Sequence, residues 1–129
     1  PFSKEALFRK INMGAVMAEY GVPQLEVIKS DYDYNEIKYT KAIKLLVSEW
    51  IDLSDKLLSS MVQGNLKAFD AVIHKLNTTL RRLELSKIEQ LLLNKRQSLV
   101  DDSKLEKKDV DQVQDLMKLY LIFIQSYVD

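Results

Sequence analysis

The sequence contains no cysteine and a single histidine, His74, among its 129 residues. The lack of cysteine excludes disulfides, thiolate zinc sites and thiol catalysis, and it fits a reducing compartment. One histidine likewise argues against a metal site built from histidines. We therefore expect this chain to bind no metal and no cofactor of its own.

A net charge is also lacking, because 19 basic residues balance 19 acidic ones. No general attraction to nucleic acid or to an anionic membrane is expected from such a balance. No apolar run approaches the roughly 20 residues that span a bilayer, and the first residues lack the charged-then-apolar pattern of a signal peptide. We expect a soluble, cytoplasmic piece without a nucleic-acid partner and without direct membrane contact.

Three glycines and two prolines leave few interruptions to regular structure. An alternation of β-branched residues with a period of two is nowhere sustained over a strand length, so the predicted fold class is all-α. Apolar residues recur every three or four positions in four stretches from residue 39 onward, with short connections between them. The expected buried positions are Ile43, Leu46, Val47, Trp50, Leu53 or Ser54, Leu57, Leu58, Met61, Leu66, Phe69, Val72 or Ile73, Leu76, Leu80, Leu83, Ile88, Leu91, Leu92, Leu99, Val110, Val113, Met117, Tyr120, Leu121, Ile124 and Tyr127 or Val128.

These stripes predict an antiparallel up-down four-helix bundle over residues 39–129. An additional N-terminal helix over residues 1–14 and a linker with short helical turns over residues 15–38 precede it. Heptad-like stripes in two of the helices are also compatible with a coiled coil formed with another chain, but the short loops favour closure within one chain.

Turn and capping residues set the expected helix ends. Gly14 is a stop signal for the N-terminal helix, and Pro23 ends any helix that runs through Tyr20. Gly64 ends the first long helix and Asn65 caps the second, so that the chain turns back in a helical hairpin. Capping boxes at residues 86–89 and 103–106 predict the starts of the third and fourth long helices.

His74 lies off the buried stripe of its own helix. At about 100° per residue it is some 200° from Leu76, on a face that faces water. The same face carries Lys67, Asp70, Ala71, Asn77, Thr78 and Arg81. The sequence contains no glycine-rich phosphate loop, no paired-histidine metal motif and no serine nucleophile motif, so His74 is the candidate reactive group. The alternative is a surface histidine without chemistry.

The first residues of the sequence indicate the start of a helix. Ser3 can cap a helix, and Phe2 can pack on Leu7 as a hydrophobic staple. Pro1-Phe2-Ser3 followed by this amphipathic helix resembles the end of a response-regulator receiver domain, although the lysine that would precede Pro1 is absent from the sequence. On that resemblance residues 1–14 are the last receiver helix, left in a piece of a longer protein. The alternative is an ordinary capped helix.

From about Tyr39 to Asp129 the chain resembles a histidine-containing phosphotransfer (HPt) domain. The resemblance rests on a helix entered through Gly64-Asn65-Leu66, on the segment from His74 to Thr79, and on apolar residues at the expected downstream spacings, namely Leu83, Ile88 and Leu91. The family pattern is His-x-Leu-Lys-Gly-Ser-Ser/Ala, and this chain has His-Lys-Leu-Asn-Thr-Thr. A receiver-like start and a linker before such a domain is the arrangement of a hybrid sensor histidine kinase. The resemblance is compatible with a membrane anchor upstream in that parent protein.

Two positions depart from the family pattern. Asn77 replaces a lysine that would help to hold a phosphoryl group, and Thr78 replaces a glycine one turn after His74. Thr78 should stand over the imidazole, where it either crowds a phosphoryl group or donates a hydrogen bond to it. Lys67, Lys75 and Arg81 are the nearby cations that can substitute for the missing lysine.

The resemblance implies a phosphorelay function. His74 is expected to be the phosphoacceptor, and Lys67, Ala71, Lys75, Asn77, Thr78 and Arg81 are expected to contact the phosphoryl group or the receiver. The implied partners are receiver domains of response regulators or of the same hybrid kinase, and the receiver supplies Mg²⁺ and the acidic pocket. The module therefore has no catalytic machinery of its own. The alternatives are a degenerate module that binds a receiver or dimerises without phosphotransfer, and an unrelated helical adaptor.

Overall fold

The computed structural model describes residues 13–102 and 104–128, and every regular element within these ranges is an α-helix. A first helix, α1, covers residues 13–20 of the described chain. It is followed by α2 (Glu26–Asp31), α3 (Glu36–Gln63), α4 (Leu66–Arg82), α5 (Ser86–Asp102) and α6 (Lys107–Gln125). The predicted all-α fold class is thereby confirmed.

The four long helices, α3 to α6, form a bundle. Helix α3 packs against both α4 and α6, while α4 also packs against α5. The connections between successive long helices are two, three and four residues long, which turns each helix back along its predecessor. The side chain of Lys95 on α5 reaches Asp109 on α6 and so links the remaining pair of neighbours.

The hairpin between α3 and α4 contains the helix stop and the helix cap that the sequence predicts. Gly64 adopts a left-handed conformation with φ of 64°, and its N–H donates to the carbonyl of Met61. Asn65 then caps α4, because its Oδ1 accepts a hydrogen bond of 3.0 Å from the N–H of Ala68. This tight turn fixes the register of α4, and hence of His74, against α3.

The core lies between the long helices and contains most of the predicted stripe. Trp50, Phe69 and Tyr120 are its largest fully buried side chains. The indole N–H of Trp50 donates to the carbonyl of Met117 over 2.9 Å, and the rings of Trp50 and Tyr120 lie 6.3 Å apart. Fully burying a side chain of this kind stabilises the fold by about 1.5–3 kcal/mol. The buried hydrophobic residues are Leu25, Ile28, Ile43, Leu46, Trp50, Leu53, Leu57, Met61, Phe69, Val72, Leu76, Leu80, Leu83, Leu85, Ile88, Leu92, Leu99, Val113, Leu116, Met117, Tyr120 and Ile124.

The segment predicted as a linker packs onto the bundle. Leu25 and Ile28 are buried in the common core, at 1% and 3% exposure. The N–H of Gln24 donates to the carbonyl of Leu83 over 3.0 Å, and α3 begins at Glu36, three residues before the predicted bundle boundary. Two apolar side chains three positions apart are enough to dock a helix as short as α2. The glycine, proline and polar residues of this segment hide that short apolar pattern in the sequence.

The predicted stop at Gly14 is wrong, because Gly14 lies inside α1. The helix ends instead at Gly21, which has a φ of 99° and donates its N–H to the carbonyl of Met17. Pro23 predicts this end, since the residue before a proline disfavours helical geometry. The expected receiver-derived features at residues 1–12 lie outside the described residues.

The start of the last helix also differs from the prediction. Helix α6 begins at Lys107, after Glu106, rather than at the capping signature of residues 103–106. Helix α5 starts at Ser86 as expected, with the carbonyl of Leu85 accepting from the amides of Ile88 and Glu89. Leu85 is fully buried, so its packing holds the beginning of α5 in place.

Candidate functional site

His74 lies near the middle of α4 and its side chain is exposed. The opposite face of the helix is fixed by four buried residues, Phe69, Val72, Leu76 and Leu80. Turning His74 inward would expose these side chains, so the buried stripe determines where the imidazole points. The predicted exposure of His74 is confirmed.

The predicted site residues divide by their distance from His74 along the helix. Ala71, Asn77 and Thr78 are three or four positions away, which places their Cβ atoms about 5–6 Å from that of His74. Lys67 and Arg81 lie two turns away on the same face, and Lys75 points toward α3. Ala71, Thr78, Lys67, Lys75 and Arg81 are exposed, whereas Asn77 is half-buried.

A residue from α5 joins this surface. Arg96 forms a bidentate ion pair with Asp70, in which Nε donates to Oδ1 over 2.7 Å and Nη2 donates to Oδ2 over 3.0 Å. Asp70 is four residues before His74 and therefore its neighbour on the exposed face. The hydrogen bonds from Arg96 lower the pKa of Asp70 below its ordinary value of 3.8. The carboxylate beside the imidazole is thus ionised and matched by a positive charge.

Asn77 faces the groove between α4 and α5. Its Oδ1 is buried and has no hydrogen-bond partner among the described residues. The groove has a volume of about 420 Å³, and Ile73, Arg81 and Arg96 line it together with Asn77. Asn77 therefore lies on the side of α4 that faces α5, and not on the exposed face of the helix.

The cations around His74 differ in how they are held. Arg81 pairs with Glu89 at 3.2 Å while its side chain stays 71% exposed. Arg82 is tied to Asp31 of α2 at 2.7 Å. Within the described ranges, Lys67 and Lys75 form no ion pair. Both lysines are therefore exposed charges without an ionic partner in these ranges, whereas the guanidinium of Arg96 is held by two hydrogen bonds to Asp70.

A second groove lies on the opposite flank of His74, between α3 and α4. It has a volume of about 500 Å³ and is lined on the α4 side by Ala68, Ala71, Val72 and Lys75. Leu53, Ser59 and Gln63 are among the residues that line it from α3. Thr78 borders a further groove of about 290 Å³ shared by α2, α3 and α4. His74 consequently stands on a ridge between depressions, where a second protein can approach it.

Sequence reasoning missed Arg96 and the contact it makes. Arg96 is 26 residues from Asp70. Their contact depends on how α5 is rotated against α4, which spacing within one helix does not specify. The only signal was the charge complementarity of Asp70 and Arg96 on two helices predicted to be neighbours. This signal is shared by many other pairs in a chain with 19 basic and 19 acidic residues.

The described helices include none that is long and apolar enough to cross a membrane. The described residues also contain no group of three or more histidine, aspartate or glutamate side chains arranged to hold a metal ion. The features around His74 are its exposed imidazole, the flanking cations and the three grooves. Comparisons with protein-family models, with curated proteins and with solved structures give no match to this chain.

Proposed function

We propose that the chain is a phosphorelay module in which His74 accepts a phosphoryl group from an aspartyl phosphate of a receiver domain and passes it to another receiver. The observation that carries this proposal is the exposed His74 at the centre of α4, on a ridge of a four-helix bundle. A nucleophile that must enter the concave active site of another protein has to project from a convex surface. The rigid helix and the buried stripe below it provide that projection.

The chemistry requires little from the bundle. A ring nitrogen of neutral imidazole attacks the phosphorus, a P–N bond forms, the P–O bond to the aspartate breaks, and the aspartate leaves as a carboxylate. The other ring nitrogen then releases its proton to solvent. Positioning and charge neutralisation supply most of the catalysis in phosphoryl transfer. In this proposal the receiver brings Mg²⁺ and the acidic pocket, and the bundle brings the nucleophile.

The surroundings of His74 support docking of a receiver. Ala71 is small and exposed next to the imidazole, so the backbone of α4 is open to close approach. The groove between α3 and α4 has an apolar floor that includes Leu53 and Val72. A helix from a partner can place an apolar stripe in such a groove. We place the module in the cytoplasm as part of a sensor histidine kinase.

The test is phosphoryl transfer to the purified chain from a panel of phosphorylated receivers. His74 is the only histidine of the chain, so acid-labile phosphate on the protein reports on this residue. We expect labelling of the wild-type chain and none of His74→Gln, with equal thermal stability of the two proteins because His74 is exposed. A wild-type chain that no receiver labels would contradict the proposal.

The half-buried Asn77 and the exposed Thr78 favour one second candidate, a module that binds a receiver without phosphotransfer. Neither residue places a positive charge beside the imidazole. Binding of a receiver with equal affinity to the wild-type chain and to His74→Gln, together with no labelling of either, would establish this second function in place of the first.

A further inference from the structure

We propose that Arg96 of α5 holds the phosphoryl group on His74, a role that rests on the proposed function. Arg96 comes from a different helix than the nucleophile, and the ion pair with Asp70 fixes its guanidinium beside the exposed face of α4. The side chain of Arg96 is 40% exposed, so its guanidinium is open to solvent beside Asp70, which lies one turn before His74 on α4.

The guanidinium retains donors for this contact. Arginine has five N–H groups, and the two hydrogen bonds to Asp70 engage one on Nε and one on Nη2. Three N–H groups remain, and the planar guanidinium suits the paired oxygens of a phosphoryl group. Arg96 can therefore bind phosphate oxygens without giving up its contact with Asp70.

The charges around His74 support the same role for Arg96. A phosphoryl group on His74 adds about 1.5–2 negative charges within one helical turn of the Asp70 carboxylate. The two anions would repel each other if the carboxylate stood alone. Arg96 matches the charge of Asp70 and at the same time attracts the incoming group. Asp70 in turn acts as a positioning residue, because it holds the guanidinium in the groove between α4 and α5.

The other candidate cations are less well placed. Arg81 is two turns from His74 and is paired with Glu89, whereas Arg82 is paired with Asp31 on the flank that faces α2. Lys67 and Lys75 are exposed on flexible stems. Asn77 lines the same groove as Arg96 but carries no charge. Arg96 is held by two hydrogen bonds to Asp70, which is an immediate neighbour of His74 on the exposed face.

The experiment uses phosphoramidate, a small donor that phosphorylates histidine without a receiver. The rate of uptake and the pH titration of the ³¹P signal are measured for the wild-type chain, Arg96→Gln, Arg96→Lys and the matched control Arg82→Gln. We expect Arg96→Gln to slow uptake about fivefold and to raise the midpoint of the phosphoryl titration by about half a pH unit. The uptake rate and titration midpoint of Arg96→Lys should lie between those of the wild type and Arg96→Gln, because lysine keeps the charge but loses the planar guanidinium. Arg82→Gln should match the wild type in both.

The double variant Asp70→Asn, Arg96→Gln separates binding of phosphate from neutralisation of Asp70. It leaves no unpaired carboxylate, so its fold is preserved if Arg96→Gln alone proves unstable. Slow uptake in the double variant supports the proposal, whereas recovery to the wild-type rate would overturn it, because Arg96 would then serve only to neutralise Asp70. Equal uptake and equal titration of Arg96→Gln and the wild type would also overturn it. If the chain takes up phosphate from phosphoramidate but from no receiver, the phosphorelay function is rejected. The role of Arg96 can still be measured in that case, because the phosphoramidate assay does not use a receiver.

Discussion

The phenolic hydroxyl of Tyr120, in the core on α6, donates a hydrogen bond of 2.5 Å to the backbone carbonyl of Gly21 at the end of α1. This contact ties the N-terminal segment to the bundle across 99 positions of sequence. Burial, with a smaller contribution from the nearby Tyr20, raises the pKa of Tyr120 to about 12. The phenol of Tyr120 therefore stays neutral in the folded state at pH values at which an exposed tyrosine ionises.

This contact predicts an alkaline loss of stability. The folded pKa of Tyr120 lies above its unfolded value of 10.0, so the contribution of the neutral phenol is complete below pH 10 and is lost as the pH rises toward 12. We expect the free energy of unfolding of the wild type to fall by about 1–2 kcal/mol more than that of Tyr120→Phe over this range. Urea unfolding of both proteins between pH 9 and 11.5 measures the difference. Parallel pH profiles would show that the hydroxyl is not buried in solution.

Lys95 provides the corresponding prediction at acid pH. Its ammonium is buried on α5 and donates hydrogen bonds of 2.7 Å to Asp109 and to Gln112 on α6. The hydrogen bond from Lys95 is the main reason why the pKa of Asp109 is lowered from 3.8. The stability that this carboxylate contributes is thus present above pH 3.8 and is lost as the pH falls through the lower, folded pKa.

We expect Lys95→Met to cost about 1–3 kcal/mol at neutral pH, since the substitution leaves Asp109 and Gln112 without their donor. The variant should also lose stability less steeply than the wild type below pH 4. Chemical unfolding at pH 7 and pH 3 tests both effects. The control is Lys118→Met, an exposed lysine of the same helix pair, which should leave the acid profile unchanged. A wild-type acid profile in Lys95→Met would contradict the ion pair.

The elements that the sequence predicted well are those set by spacing within one helix. The stripe that contains Phe69, Leu76 and Leu80 determines both the core of α4 and the exposure of His74. The turn at Gly64 and Asn65 was also predictable, because each residue type has a specific role at a helix end. Local chemistry was therefore sufficient to predict the helical bundle and the exposed position of His74.

Contacts between helices were less predictable. Lys95 lies three positions after Leu92 and four before Leu99, a spacing that indicates a buried position on α5. A lysine, however, is rarely buried unless it is paired. Its partners on α6 become visible only when the two helices are placed together. The same applies to Arg96 beside Asp70, and to Leu25 docked from a segment whose glycine and proline suggested a linker.

Glu84, between α4 and α5, offers a stabilising substitution. Its backbone has a φ of 59°, and its side chain is exposed. The left-handed conformation costs an L-residue about 1–2 kcal/mol, whereas glycine adopts it readily but loses more entropy on folding. We expect Glu84→Gly to raise the free energy of unfolding by about 0.5–1 kcal/mol and Glu84→Ala to change it by less than about 0.5 kcal/mol. Thermal or urea unfolding distinguishes the two, and a destabilised Glu84→Gly would contradict the assigned geometry.

Thr78 tests whether the site is crowded. Its exposed side chain stands one turn after His74 and leans toward it, so removing the side chain should open space for a phosphoryl group. We expect Thr78→Gly to accept phosphate from a receiver faster than the wild type, with Thr78→Ala between them, despite a loss of helix stability of about 0.5–1 kcal/mol for the glycine variant. A phosphotransfer time course with a receiver that labels the wild-type chain measures the rates, and melting curves show that all three proteins are folded at the assay temperature. Unchanged transfer in both variants would show that Thr78 does not crowd the site. Slower transfer in both would mean that the hydroxyl assists the phosphoryl group, and Thr78→Ser would then restore the wild-type rate.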